Sequence, residues 1–437
     1  MLIHAGPGAG KTLGALLAFQ AMQQEGRLEH ALVFCHRTSI LSQWQSSAAR
    51  LGLKLELWSG QNQLNGDVDG WLVSYQGAGR QQHNLSADLQ RWNAETLLAI
   101  ADEAHHLGVD PDEPDGPVWG HTFLELSNRA RLRLGLTGTP FRADNLAFCA
   151  ARRVRVEEQG QLVEQIHPDL SVEPRELIAA GDVRPLEFRF QDGWVEHGQE
   201  GIPDREISPL SAEQRESWRA RNLRRAIRLS DSSSIAQQLL LRARKQLEKV
   251  RNEHPRAGGL VIARDIEHAR AITLLLEEEG DRVDLVHSQD SEAAARLSGF
   301  QAGQADWLVS IDMCAEGFDA SRIRVVAYLT TVVTRSRFVQ GITRAVRMCG
   351  ERANLESIPR EPSYVFAPAD PLLMQYARSW SLSEPYRIAV PAVADDQDPT
   401  EIGGSWRGPS LPMEAIEDGA GAVIRMKTPE LPRFLQR

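Results

Sequence analysis

The residue types best suited to chemistry stand at the front of the chain, in Leu2-Ile-His-Ala-Gly-Pro-Gly-Ala-Gly-Lys-Thr12. A short apolar run leads into a turn containing Gly6, Gly8, Ala9 and Gly10, then Lys11 and Thr12, then a helix-like stretch from Leu13 to Met22. Strand, glycine turn and helix in that order make a phosphate cradle. Glycines let backbone N–H groups turn inward, and the helix N-terminus adds partial positive charge. Lys11 then reaches the terminal phosphates and the Thr12 hydroxyl holds Mg²⁺. The strict pattern has Gly at position 5, where this chain has Ala5.

A second group follows the apolar run Leu97–Ala101, which ends in Asp102-Glu103-Ala104-His105. The C-terminal end of a strand in an open α/β sheet is where ligand chemistry is placed. Asp102 is the expected Mg²⁺ holder, usually through water, and Glu103 the group that orients or deprotonates an attacking water. A third group is Thr137-Gly-Thr139-Pro-Phe-Arg142 after Leu134–Leu136, whose two hydroxyls could link a bound phosphate to the other side of a sheet. The acids between Gly108 and Gly116 match no calcium loop and read as a solvated stretch.

Composition narrows the classes. With 437 residues, two or three domains are expected. The net charge of −10 argues against a wholly basic coat protein, but a local groove can still bind nucleic acid. Cys35, Cys149, Cys314 and Cys349 show no metal or disulfide spacing, which suits a reducing compartment. No apolar run approaches bilayer length and no leader pattern opens the chain, so no membrane partner and a cytoplasmic location are expected.

The elements that must position these groups alternate. Strand-like runs at Ala31–Cys35, Leu53–Trp58, Trp71–Tyr75 and Leu97–Ala101 are separated by helical stretches, as in parallel βαβ construction. Thr38 or Ser39 could cap the helix carrying Leu41 and Trp44. Leu186–Phe190 alternates like a half-exposed strand, and 191–208 reads as loop. From Glu213 to Arg256 come one or two helices rich in Arg219, Arg221, Arg224, Arg225, Arg228, Arg242, Arg244, Lys245 and Lys249. They read either as a solvated connector or as a track for a phosphate backbone.

A second alternating block, Gly259–Ala263, Glu267–Glu279, Val283–Val286, Ala293–Phe300 and Trp307–Ile311, has no glycine cradle of its own. It is expected to close over the first block's nucleotide. Asp312-Met-Cys-Ala-Glu-Gly-Phe-Asp319 follows its last strand, where Asp319 could reach a ribose hydroxyl or the opposite domain. Arg335, Arg337, Gln340, Arg344 and Arg347 fall on a predicted helix, with Gln340, Arg344 and Arg347 on one face. A forked guanidinium delivered to a phosphoryl group is worth roughly 10³–10⁵ in rate. Ser363–Phe366 reads as a closing strand, 371–380 as a closing helix and 394–409 as a flexible linker.

Taken in order, Ala5–Thr12, His36–Trp44, Asp102–His105 and Leu136–Arg142 resemble the first motor domain of superfamily 2 helicases, in the DEAH branch of the DEAD/DEAH-box group. The wording of His36–Trp44 and Thr137–Arg142 is most similar to repair helicases and to type I and III restriction motor subunits. Glu316–Asp319 and Gln340–Arg347 resemble the family's later motifs, so the likeness covers about residues 1–370. It implies an α/β chain of two tandem RecA-like parallel-sheet domains joined by a helical basic connector, divided as 1–165, 166–256, 257–380 and a partly flexible tail 381–437.

The resemblance also implies ATP and Mg²⁺ as cofactors and a nucleic-acid partner, DNA favoured over RNA, with possible partner subunits. Arg344 would meet the γ-phosphate, Arg347 would act as finger, and Gln340 would lie near the nucleotide and His105. Thr137 and Thr139 would couple hydrolysis to strand movement. Thr343 stands where the family usually has Gly. Only Met1–His4 precede the turn, where relatives carry a segment with an adenine-reading glutamine motif, so a truncated gene product is expected. The expected activity is that of an ATP-dependent helicase or translocase. An ATP-gated clamp without unwinding and an RNA helicase are the alternatives.

Overall fold

The computed structural model describes residues 1–6, 8–60, 68–107, 118–138, 148–150, 153–158, 161–166, 168–197, 206–213, 216–229, 234–287, 289–311, 320–348, 350–380 and 386–389. These residues form two compact units, one containing Met1–Glu173 and the other Pro174–Leu382.

In the first unit β1 (Leu2–Ala5) leads through the glycine turn into α1 (Lys11–Gln24). Then come β2 (His30–Cys35), α2 (Thr38–Arg50), β3 (Leu55–Leu57), β4 (Gly70–Ser74), α3 (Tyr75–Arg80), α4 (Gln82–Leu89) and β5 (Leu97–Asp102). α5 (Val118–Ser127) and β6 (Leu132–Thr137) complete the alternation. β7 (Arg153–Glu158), β8 (Gln161–Ile166) and β9 (Leu170–Val172) follow. The main sheet has seven strands, β3-β4-β2-β5-β6-β1-β9, all pairing in parallel. Strands covered on both faces read as unbroken apolar runs, and β5 is buried along its whole length. One layer of core gathers Leu16, Phe19, Val33, Trp44 and Ile100, and the opposite layer Phe34, Tyr75, Ala99 and Phe123.

Register decides what this sheet presents. His4 pairs with Thr137, and Asp102 pairs with Leu136, so the ends of β1, β6 and β5 share one edge. Thr38 is the first residue of α2, and the cap position is Arg37, which makes no side-chain capping bond. The expected Thr38 or Ser39 cap is therefore absent.

The second unit opens with α6 (Pro174–Ala180), β10 (Leu186–Gln191), β11 (Trp194–His197), β12 (Glu206–Pro209), α7 (Glu216–Ala226) and α8 (Ile235–Arg251). β13 (Gly258–Ala263), α9 (Ile266–Glu278), β14 (Val283–Val286), α10 (Ala293–Ala302) and β15 (Trp307–Ile311) follow. β16 (Ile323–Leu329), α11 (Arg335–Ile342), α12 (Gly350–Leu355), β17 (Ser363–Pro368) and α13 (Pro371–Ser379) close the unit. Its six-stranded parallel sheet runs β10-β17-β16-β13-β15-β14. The α/β class with two parallel sheets is as expected.

The segment 166–256 does not stand apart as a connector. β9 joins the first sheet, β10 forms an edge of the second, and α8 buries Leu239, Leu240, Ala243 and Leu247 in that sheet's core. Each such leucine contributes about 1.5–3 kcal/mol by leaving water, so α8 belongs to the unit it covers. Part of the stretch read as loop, 191–208, forms the antiparallel pair β11–β12. In the tail, β18 (Tyr386–Ala389) pairs with β8 of the first unit, and the 394–409 linker lies outside the described residues. Among the described residues no helix is long and apolar enough to cross a membrane.

Candidate active site

The glycine turn follows β1 directly. Gly8 and Gly10 adopt φ of 87° and 73°, and Gly10 is the cap of α1. A side chain at position 10 would meet nothing within 4 Å, so glycine is required there by conformation and leaves the space in front of α1 open. α1 has no capping side chain and no acid in its first turn. No acid of the helix's own first turn competes for its leading N–H groups. Lys11 Nζ donates to the Ala5 carbonyl at 2.9 Å, folding its ammonium back over the turn.

Asp102 ends β5 and is 7% exposed. Its Oδ2 accepts from the Trp44 indole N–H at 2.8 Å, its Oδ1 from the Glu103 backbone N–H at 3.0 Å, and its carbonyl from the Tyr75 hydroxyl at 2.7 Å. Burial pushes its carboxyl upward, and the Glu103 charge adds to this. The Trp44 bond and the Lys11 charge hold it down. The Asp102 carboxylate therefore feels Lys11 and Glu103 together, an arrangement that a cation would relieve. Glu103 has φ of 49°, unique among the described non-glycine residues. Such a conformation costs about 1–3 kcal/mol and persists where surrounding structure enforces it, commonly at functional sites.

Thr137 closes β6 at the same edge and is 2% exposed. His105 lies in the 3-10 turn Ala104–Leu107, with its side chain outside the described set. Thr139 and Asp319 are outside the described residues, as is the whole run 312–319. Of the residues read from the sequence, the first unit thus gathers Gly8, Gly10, Lys11, Thr12, Asp102, Glu103 and Thr137 at the ends of three neighbouring strands.

In the second unit the arginines are arranged differently from expectation. α11 stops at Ile342, Thr343–Val346 form a 3-10 turn, and Arg347 has extended backbone. Gln340, Arg344 and Arg347 therefore do not share one helical face. Thr343, the cap of α11, is buried, and both its backbone N–H and its hydroxyl donate to the Val339 carbonyl, the hydroxyl at 2.6 Å. Close packing is supplied by Gly341, where a Cβ would lie 2.6 Å from Ile262 Cδ1. Gln340, Arg344 and Arg347 are all half-buried.

Two residues without an assigned role in the sequence hold Asp102: Trp44 and Tyr75. Trp44 ends the His36–Trp44 motif and Tyr75 follows β4, so their positions, though not their bonds, were visible. The basic segment also divides. Arg219 is buried against Asp370 at 2.9 Å, and Arg244 bonds Asp281 at 2.8 Å.

Comparison with known proteins agrees with this layout. Residues 1–142 match the family model described as type III restriction enzyme, res subunit, and residues 242–349 match the helicase conserved C-terminal domain. An uncharacterized protein of Mycobacterium tuberculosis strain H37Rv is 30% identical over 424 residues, 93% of this chain; the chain spans 66% of that relative's length. Among solved structures, a fragment described as the HsdR subunit of a type I restriction enzyme from Vibrio vulnificus superposes with TM-score 0.51. Identity there is 17%, covering 86% of this chain and 61% of the other. The type ISP restriction-modification enzyme LlaBIII also gives TM-score 0.51, at 12% identity over 87% of this chain and 28% of its own. With both family models matched in order on its two parallel-sheet units, the chain belongs to the superfamily 2 helicases, and its first unit matches the restriction-subunit model.

Proposed function

We propose that the chain is a cytoplasmic, ATP-dependent motor on nucleic acid, with DNA as its polymer. The observation that carries this reading is one sheet edge holding Lys11 behind a left-handed glycine together with a buried Asp102 and a strained Glu103. The restriction-subunit match over residues 1–142 supports DNA. It also supports work alongside partner subunits.

The donors suit Mg²⁺. The Thr12 hydroxyl and Asp102 carboxylate are hard oxygens, and this ion takes few protein oxygens and keeps water and phosphate for the rest. When bound, Mg²⁺ neutralises phosphate charge during ATP hydrolysis. Lys11 exchanges the Ala5 carbonyl for a phosphate oxygen, while the N–H groups of the glycine turn and α1 bind the remaining oxygens. Glu103 orients the water and takes its proton. Arg344 and Arg347 supply the remaining positive charge, with Gln340 near the nucleotide and Asp319 on the ribose. Thr137, Thr139 and His105 pass the state of the site to the strand-binding surface.

Steady-state ATPase with and without single- and double-stranded DNA and RNA tests the reading. Stimulation by DNA, abolished by Glu103→Gln, is expected. Stimulation by RNA alone would move the assignment to an RNA motor, and no hydrolysis under any condition would refute it. A strand-displacement assay then separates a helicase from a duplex translocase or clamp.

A further inference from the structure

On the α8 face of β10 the second unit has a cavity of about 220 Å³, lined by Gln191, Leu239, Gln246 and Phe366 among others. Three cations of α8 border it: Arg242, Lys245 and Lys249. Their spacing puts them in one stripe covering about 10 Å of helix. All three are exposed, and among the described residues none makes an ion pair or hydrogen bond. Their neighbours behave otherwise. Arg244 is bound to Asp281 and Glu248, Arg251 to Asp306, and Arg189 to Glu187 and Gln246. No acid lines the cavity. The segment thus sorts into cations spent on folding and cations left for a ligand.

The lining carries a second observation. Gln191 is 4% exposed, yet its Oε1 has no hydrogen-bond partner among the described residues, while its Nε2 donates to the Asp192 carbonyl at 3.0 Å. A buried orphan acceptor is costly unless a donor arrives. A phosphodiester has no such donor, whereas a sugar hydroxyl or base amino group does.

We infer that this cleft binds one nucleotide unit of a nucleic-acid strand, its phosphates on Arg242, Lys245 and Lys249 and a sugar hydroxyl or base amino group towards Gln191. The inference rests on the motor reading but concerns a site on the second unit alone, remote in sequence from the glycine turn.

The test uses the full chain and a labelled single-stranded oligonucleotide, with binding followed by anisotropy across a salt series. The Arg242→Gln/Lys245→Gln/Lys249→Gln variant is expected to flatten the slope of log affinity against log salt by about 2, near 0.7 per phosphate lost. ATP hydrolysis without nucleic acid should be unchanged. Arg270→Gln, a lone exposed cation on α9, should leave the slope unaltered. An unchanged slope in the triple variant overturns this inference alone, and a wild-type chain that binds no oligonucleotide overturns the motor reading with it. If the triple variant keeps the slope but loses saturable binding of AMP or inorganic phosphate, the cleft takes a free ligand and the strand assignment fails. If it keeps the slope but loses a poly-glutamate peptide, the surface serves an acidic protein instead.

Discussion

Replacing Trp44 by Phe isolates the support of the Asp102 carboxylate, proposed above to hold Mg²⁺. The indole is fully buried and donates to Asp102 Oδ2 at 2.8 Å, with that carboxylate 7% exposed. A hydrogen bond to a charged, desolvated acceptor is worth about 1.5–3 kcal/mol, and the smaller ring leaves unfilled space beside it. The expected loss of stability is about 2–4 kcal/mol, a lowering of Tm by roughly 5–15 °C for a unit of this size. Function should suffer separately. Groups that orient a metal ligand typically contribute about 10–100-fold to metal affinity. The Mg²⁺ concentration for half-maximal ATPase should therefore rise by about that factor, at a temperature where the variant is folded by circular dichroism. Tyr75→Phe is the control. Its hydroxyl donates to the Asp102 backbone carbonyl and not to the carboxylate, so it should cost about 1 kcal/mol of stability and leave the Mg²⁺ requirement nearly unchanged. A folded Trp44→Phe variant with the wild-type Mg²⁺ requirement would refute the reasoning.

Further outcomes follow from buried charge in the second unit. Asp370 is fully buried, pairs with Arg219 at 2.9 Å and caps α13 through the Leu372 and Leu373 N–H groups. Asp370→Asn leaves an unpaired buried guanidinium and should destabilise the chain by about 3–5 kcal/mol in denaturant titration. His254 is held down to about 4, first by burial and then by Arg352, Arg324 and Arg184. Its folded value lies below the unfolded one, so the unfolded chain binds the proton more readily. Stability should therefore fall as pH drops from about 6.5 towards 4. His254→Gln should flatten that decline in thermal melts at several pH values.

Much of the site was legible because its requirements are local. A glycine at positive φ, a lysine one residue later and two acids ending an apolar strand need no distant partner to be recognised. Parallel strands such as β5 and β15 were legible as unbroken apolar runs for the same reason. What escaped depends on pairing across long stretches of chain. β10 looked like part of a connector because β17, which hydrogen-bonds it, lies far downstream at Ser363–Pro368. Arg219 looked like a free cation because Asp370 is equally distant in sequence. The run Ile323–Leu329, fully buried as β16, carries Arg324, a charge that interrupts its apolar pattern. Helical spacing placed Arg344 and Arg347 with Gln340, but the chain tightens to a 3-10 turn at Thr343–Val346 and is extended at Arg347, which removes that periodicity.

The central proposal is that Lys11 binds the nucleotide and Arg347 speeds its hydrolysis. It is tested most directly by single-turnover ATP hydrolysis with DNA present, paired with nucleotide binding, in Lys11→Ala and Arg347→Ala. The account predicts that Lys11→Ala loses binding and hydrolysis, whereas Arg347→Ala still binds ATP and hydrolyses it at least about 10³-fold more slowly. Wild-type hydrolysis in Arg347→Ala would contradict it.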